Sequence, residues 1–227
     1  MPEYRISGRR LPSDNGATNP FPAALLDCLA SYTYLLSLGF NPANIVLMGD
    51  SAGGNLALSL LHLLPSVELA VPGRVVLLSP AADGQLTHVG PTASSTVNAK
   101  SDYCYPLMST GVCIEPLRGD ALSREWVSTS MWLSPGARDI SATQSSGWFS
   151  GLKNSRTMIL AGGAECSVDG MRVLRDRILS DLGKGESRRL VYHEEPDATH
   201  DWPNISIWEP EGEMAIDAIV RFIEGEQ

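Results

Sequence analysis

A serine with small neighbours stands between a strand-like and a helix-like apolar run. Residues 49–53 are Gly-Asp-Ser-Ala-Gly, with Ile-Val-Leu-Met before them and Gly-Asn-Leu-Ala-Leu-Ser-Leu-Leu after them. Flanking glycines let the chain fold tightly at such a turn, and the serine hydroxyl stays exposed. The pattern therefore predicts that Ser51 is a nucleophile and that the Ala52 amide, at the helix start, stabilises an oxyanion. The alternative is a glycine turn that carries an idle serine.

A serine nucleophile needs a general base, and the sequence offers four histidines. His200 follows the last predicted strand and precedes the last predicted helix, so it is the candidate base in the chain order serine, acid, histidine. The other three have ordinary interpretations. His62 is predicted on a helix surface, His88 falls in an irregular segment, and His193 is predicted at a solvated strand end.

The base in turn needs a carboxylate to orient it, and two acidic residues follow the strand predicted at residues 157–161. Glu165 comes directly after the strand end, where a carboxylate can face the histidine loop. Asp169 opens the next helix, where an acidic side chain also stabilises the helix N-terminus. The residues alone favour Glu165 as the acid and leave Asp169 as the alternative.

Apolar runs of strand length alternate along the chain with segments of helical periodicity, which is typical of the α/β class. Strands are predicted at residues 4–7, 45–49, 74–79, 157–161 and 189–193. Helices are predicted at residues 23–38, 54–64, 168–182 and 211–223. Residues 9–20 are polar and turn-rich, and we expect a loop there.

Residues 81–150 interrupt this alternation. They are rich in Ser, Thr, Gly and Pro and have weak periodicity. A segment of this length between two strands is usually functional. We expect a lid-like or substrate-wall insertion within a single domain that spans residues 1–227.

Composition excludes several classes of function. The 17 basic and 26 acidic residues give a formal charge of −9, which disfavours nucleic-acid binding. The four cysteines have no metal-ligand spacing, and a disulfide between Cys104 and Cys113 is left open. No apolar run is long enough to cross a bilayer, and the first ten residues have no secretory signal core, so the default compartment is the cytoplasm.

Several motifs together resemble the hormone-sensitive-lipase-like carboxylesterases, a branch of the α/β-hydrolases. They are Tyr-Arg-Ile at residues 4–6, Pro-Phe-Pro-Ala-Ala-Leu at 20–25, Gly-Asp-Ser-Ala-Gly-Gly-Asn at 49–55, and Leu-Ser-Pro at 78–80 with Asp83. The resemblance implies an α/β-hydrolase fold and hydrolysis of a small-molecule ester through an acyl-enzyme on Ser51, with no metal or organic cofactor. It places Glu165 and His200 in the acid and histidine region. Family members usually carry Asp where Glu165 stands, and either carboxylate can orient an imidazole.

The sequence also departs from that family. Members of that family carry a His-Gly-Gly element before the Tyr-Arg strand, and the backbone amides of this element form most of the oxyanion hole. This sequence contains no His-Gly pair. The resemblance thus implies an N-terminally shortened hydrolase without its first strands. The strand at 45–49 would then be an exposed apolar edge that favours self-association. Two other interpretations stay open: a catalytically impaired or inactive fragment or an interaction module, and a peptidase with the same triad.

Overall fold

The computed structural model describes residues 2–9 and 17–225, and its centre is a parallel sheet of four strands. In chain order the strands are β1 (Gly8–Arg9), β2 (Ala17–Thr18), β3 (Val46–Asp50), β4 (Arg74–Leu78), β5 (Arg156–Gly162) and β6 (Leu190–Glu195). The helices are α1 (Ala23–Ser37), α2 (Ser51–Ser66), α3 (Ser94–Val97), α4 (Tyr105–Ser109), α5 (Ile114–Arg118), α6 (Arg124–Thr129), α7 (Ala142–Ser145), α8 (Val168–Leu182) and α9 (Glu211–Glu224). Short 3₁₀ turns lie at Pro42–Asn44, Ser150–Asn154, Ser187–Arg189, Trp202–Asn204 and Ser206–Trp208.

The central sheet has the strand order β3-β4-β5-β6, and every neighbouring pair is parallel. The register places Asp50 beside Leu78, Leu78 beside Leu160, and Gly162 beside Glu195. The carboxyl ends of all four strands therefore meet at one edge of the sheet. In open α/β sheets, ligands bind beyond this edge.

Alternate side chains of the inner strands face opposite helical layers, as the two-residue period of a strand requires. Val75 and Leu77 of β4 are buried in the cluster that contains α2 and α8, whereas Val76 and Leu78 are buried against α9. Helix α1 packs on the outer side of α2. Because both faces are covered, β4 and β5 are apolar along nearly their whole length. The predicted α/β-hydrolase architecture is confirmed in this sheet and its flanking helices.

The prediction of a strand at residues 4–7 is wrong. Within the described residues this segment pairs with no strand, and the Arg5 amide donates instead to the Asp27 carboxylate on α1, at 2.9 Å. The Arg5 guanidinium binds the same carboxylate. The loop predicted at residues 9–20 holds the antiparallel pair β1 and β2 at its ends, and its residues 10–16 lie outside the described residues.

Strand β3 forms one edge of the sheet. Its outer side pairs with no other strand in the part of the chain that the structure describes, and the Met48 side chain is 51% exposed. A groove of about 600 Å³ runs along this edge between β3, α1 and the segment that contains Tyr4. We call it the edge groove. It reaches Asp50 and Gly53 beside the serine turn.

The segment between β4 and β5 contains the five short helices α3–α7 and no strand among the described residues. Many side chains of this segment are buried, among them Val127, Leu133 and Phe149.

The prediction that His62 lies on a helix surface is corrected by the structure, because the segment between β4 and β5 covers α2. The His62 ring stacks on Trp148 with a centroid separation of 3.4 Å and meets the edge of Trp132 at 4.9 Å.

Candidate active site

Ser51 lies at the turn where β3 ends and α2 begins. Its backbone has a φ of 49°, in the left-handed region that a non-glycine residue seldom occupies. The glycines around it allow close backbone approach. A Cβ atom on Gly49 would lie 2.3 Å from the Gly53 carbonyl oxygen, and one on Gly54 would lie 2.8 Å from the Pro80 side chain. These contacts explain why the sharp turn needs glycine before and after Ser51.

His200 lies in the loop after β6, and its ring contacts both other predicted residues. The Ser51 Oγ is 2.9 Å from His200 Nε2, and the Glu165 Oε2 is 2.8 Å from His200 Nδ1. In the tautomer that satisfies both contacts, the serine hydroxyl donates to Nε2 and the Nδ1–H donates to the carboxylate. His200 is 3% exposed and Glu165 is fully buried. The structure therefore brings Ser51, His200 and Glu165 into one hydrogen-bonded chain.

The Glu165 carboxylate is buried but well supplied with hydrogen-bond donors. Its Oε1 accepts from the Ser79 hydroxyl at 2.7 Å and from the Gly162 amide at 2.6 Å. Its Oε2 accepts from His200 and, at 3.4 Å, from the Ser167 hydroxyl. A buried carboxylate is tolerated only when its oxygens are satisfied in this way. This set of donors holds the charge of Glu165 in a fixed orientation toward the imidazole.

The electrostatic surroundings of His200 favour a protonated ring. Burial by itself lowers the pKa of His200, but the hydrogen bond to Glu165 and the charges of Glu165 and Asp201 raise it more, so that the pKa lies above its ordinary value. Asp201 Oδ2 is 3.5 Å from Nε2. Burial, followed by the charges of neighbouring carboxylates, raises the pKa of Asp201 to about 6, although the charge of His200 opposes this. The site thus stabilises an imidazolium, the species that a general base becomes.

The alternative acid, Asp169, makes other contacts. Its Oδ2 accepts from the Ser94 amide at 2.8 Å, and its Oδ1 accepts from Arg172 Nη1 at 3.0 Å. Asp169 lies in the first turn of α8, where the sequence predicted its competing role. Of the two candidate acids, Glu165 is the one that contacts His200.

Ala52 is the second residue of α2 and is exposed beside the serine. The first amides of a helix have no acceptor within the helix, and they carry its positive dipole end. The position of Ala52 is therefore suited to a negatively charged oxygen formed next to Ser51.

The remaining histidines lie away from this hydrogen-bonded chain. His62 Nδ1 is 3.1 Å from the Trp148 carbonyl oxygen, and burial lowers the pKa of this histidine. His88 Nε2 is 2.9 Å from the Gly136 carbonyl oxygen. His193 lies in β6 with its Nε2 3.4 Å from Glu195 Oε2.

Sequence reasoning missed the residues that hold the acid loop. The segment of residues 94–103, which we call the brace, lies against the loop that follows β5. Asn98 Nδ2 donates to the carbonyl oxygens of Gly163, at 3.1 Å, and Glu165, at 2.9 Å. The Asp102 carboxylate accepts from the Cys166 amide at 2.7 Å. The brace thus fixes the backbone on both sides of the Glu165 side chain.

The brace also reaches the histidine loop. The Tyr103 hydroxyl donates to the His200 carbonyl oxygen at 3.1 Å. This contact joins residues 97 positions apart in the chain. Polar residues in a segment without periodicity gave no signal of such a role. The brace is part of residues 81–150, for which a lid or substrate wall was predicted, and it contacts the loops that carry Glu165 and His200.

Other kinds of site are not found in the described residues. Residues 2–9 and 17–225 contain no group of three or more His, Cys, Asp or Glu side chains that could hold a metal ion. The four cysteines are free thiols, so the Cys104–Cys113 disulfide that the sequence left open is not formed. Over the same two ranges, no helix has the length and hydropathy to span a membrane.

Comparisons with known proteins agree with this fold. Residues 15–203 match the model of a family described as alpha/beta hydrolase fold. An acetyl-hydrolase of Streptomyces hygroscopicus is 43% identical over 65 residues, which are 29% of this chain and 22% of that protein. An esterase of Mycobacterium tuberculosis is 40% identical over 83 residues, or 37% of this chain and 26% of that protein.

A solved structure of an esterase from the bacterial hormone-sensitive lipase family superposes with a TM-score of 0.68 and is 28% identical. The match covers 97% of this chain and 63% of the solved chain. This chain thus spans less than two thirds of the relatives that it matches. Since the family model covers most of the sequence, the chain belongs to the alpha/beta hydrolase fold family, and within it is similar to the hormone-sensitive-lipase-like esterases.

Proposed function

We propose that this chain hydrolyses carboxylic esters through an acyl-enzyme on Ser51. The observation that carries the proposal is the continuous contact from Ser51 Oγ through His200 to the buried carboxylate of Glu165. A hydroxyl in this setting is activated by the adjacent base, and the base is kept in the correct tautomer by the acid. The names of the relatives, an acetyl-hydrolase and an esterase, support the same chemistry.

The reaction has two halves. Ser51 Oγ attacks the ester carbonyl carbon while His200 Nε2 takes the hydroxyl proton, and the carbonyl oxygen becomes an oxyanion. The intermediate collapses to an acyl-serine, and the alcohol leaves with the proton from His200. A water molecule then attacks the acyl carbon, gives its proton to His200, and releases the carboxylic acid as Ser51 Oγ recovers that proton. Glu165 stays ionised and stabilises the imidazolium in both halves.

The oxyanion needs hydrogen-bond donors, and the Ala52 amide is the one that we assign. One such donor contributes about 10²- to 10³-fold in turnover. The sequence contains no His-Gly pair from which the family's other donors would come. This observation favours a second candidate, a catalytically impaired or inactive member of the fold or an interaction module.

Hydrolysis of p-nitrophenyl acetate by the purified chain tests the proposal, with longer p-nitrophenyl esters to define the acyl group. The matched variants are Ser51→Ala, which removes the nucleophile, and Ser155→Ala, which removes a buried hydroxyl just before β5. Circular dichroism establishes that each is folded. We expect turnover in the parent and in Ser155→Ala, and loss of turnover in Ser51→Ala. Equal turnover in Ser51→Ala and the parent contradicts the proposal, and a folded parent without turnover supports the second candidate.

A further inference from the structure

Ser79, the residue after β4, occupies an unusual position. It is 1% exposed, and its backbone φ is 41°, in the left-handed region. Its hydroxyl has two partners. It donates to Glu165 Oε1 at 2.7 Å and accepts from the Asp201 amide at 3.0 Å.

These two partners belong to different loops. Glu165 follows β5, whereas Asp201 is adjacent to His200 in the loop after β6. The distance between the acid and the imidazole therefore depends on how two separate loops sit relative to each other. One hydroxyl that contacts both loops fixes that relationship directly.

Ser79 itself is held by the sheet. Its amide donates to the Leu160 carbonyl oxygen on β5 at 2.8 Å. The Ser79 backbone is therefore hydrogen-bonded to the central sheet, and its hydroxyl is hydrogen-bonded to both loops that carry the site. A group locked by packing in this way orients a catalytic side chain better than a mobile one does.

We propose that Ser79 is a positioning residue, whose hydroxyl holds the Glu165 carboxylate and the His200 loop in the geometry that the Ser51 reaction requires. The inference rests on the proposed ester hydrolysis.

Ser167 is also a serine beside Glu165, but its contact with the carboxylate differs from that of Ser79. Its hydroxyl is 3.4 Å from Oε2, and it lies on the same loop as the acid.

Two substitutions separate the hydroxyl from the strained backbone. Ser79→Ala removes the hydroxyl and leaves a side chain at positive φ, whereas Ser79→Gly removes the hydroxyl and adopts that φ without strain. Ser155→Ala is the matched control, because Ser155 is also a buried serine and its hydroxyl has no hydrogen-bond partner in the described part of the chain. If either Ser79 variant does not fold, the other still carries the test.

We expect both Ser79 variants to lose about 10- to 100-fold in kcat with KM within about threefold of the parent, because misplacement of a reacting group affects the chemical step. The control keeps the parental values. Loss in Ser79→Ala with full kcat in Ser79→Gly assigns the effect to backbone strain and overturns the proposal. Parental kcat in both variants also overturns it.

A second readout does not depend on turnover. The His200 Nδ1–H that donates to Glu165 gives a low-field proton resonance in nuclear magnetic resonance, and exchange with water broadens it when the hydrogen bond loosens. We expect this resonance in the parent and in Ser155→Ala, and its loss in both Ser79 variants. An unchanged resonance in a folded Ser79 variant overturns the positioning role. Failure of the ester assay in every protein, with the resonance lost only in the Ser79 variants, would contradict the proposed function and leave the positioning role supported.

Discussion

The Asp201 carboxylate lies 3.5 Å from His200 Nε2, the same ring nitrogen that accepts from the Ser51 hydroxyl. A negative charge at this place stabilises the protonated imidazole. Burial raises the pKa of Asp201 to about 6, which is below the raised pKa of His200, so Asp201 carries its negative charge where the imidazole becomes neutral. We therefore expect Asp201 to help set the pH at which His200 accepts a proton.

We expect the rate to rise with pH through the raised pKa of His200, because only the neutral ring accepts the serine proton. Asp201→Asn removes the negative charge, lowers the pKa of His200, and moves this limb of the kcat/KM profile to lower pH. Asparagine also tolerates the positive φ of 51° at this position. Asp176→Asn, a change of an exposed carboxylate on α8, is the control. A limb that is unchanged in Asp201→Asn, or that moves to higher pH, contradicts the prediction.

The choice between the two candidate acids predicts unequal effects of their amide variants. Glu165→Gln keeps the shape of the side chain and removes the charge that stabilises the imidazolium, so we expect kcat to fall by about 10³-fold or more. Asp169→Asn weakens contacts with Ser94 and Arg172 but none with His200, and we expect less than about tenfold loss. Steady-state kinetics on one ester, with unfolding curves for both variants, measures the difference. The reverse order of effects would assign the acid to Asp169.

The brace predicts a linked loss of stability and activity. Asn98→Ala leaves the Gly163 and Glu165 carbonyl oxygens without their shared donor, which costs about 1–3 kcal/mol in the free energy of unfolding. Urea unfolding measures this cost, and kcat should fall because the acid loop is no longer fixed. Lys100→Ala, at an exposed position in the same segment, is the comparison. Equal unfolding free energies for the two variants would mean that Asn98 contributes no net stability.

Among residues 2–9 and 17–225, no strand pairs with the outer edge of β3, and we expect this edge to favour association between copies of this chain. Exposed edges offer backbone donors and acceptors to another strand, and the Met48 side chain adds exposed apolar area. A charged residue on an edge strand opposes such pairing, so Met48→Lys should shift the chain toward monomer. Sedimentation velocity over a range of concentrations measures the shift, with Val220→Lys on the exposed side of α9 as the control. A parent that is monomeric at every concentration contradicts the prediction.

The local sequence pattern predicted the bounds of an element well where that element buries one continuous apolar face. Helix α8 has the predicted bounds Val168–Leu182, and β4 differs from its prediction only by the last residue. The chain order of a serine, an acid and a histidine, each after a strand, pointed to Ser51 and His200 and favoured Glu165 over Asp169, and Ser51, Glu165 and His200 are the side chains that meet. Each of these elements and candidate residues was recognised from the residues next to it in the sequence.

Other features depend on contacts between distant residues, and they were not predictable in that way. The environment of His62 is created by Trp148, which lies 86 residues further along the chain. The contact of Ser79 with Glu165 also spans 86 residues. Neither contact leaves a periodic pattern. The pairing of the two-residue strand β1 with β2 was missed as well, because the local pattern of this short polar segment suggested a loop.

The sheet order has a consequence for how the chain folds. Strands β4 and β5 are neighbours although residues 79–155 separate them, and the serine and histidine that meet are 149 residues apart. Parallel pairing of strands across long loops is slow, because the entropic cost of closing the loop comes before the contacts that offset it. After dilution from denaturant, helical signal should therefore return early, while the Ser51–His200 contact forms among the last. The rate at which ester hydrolysis recovers would then measure the final stage of folding.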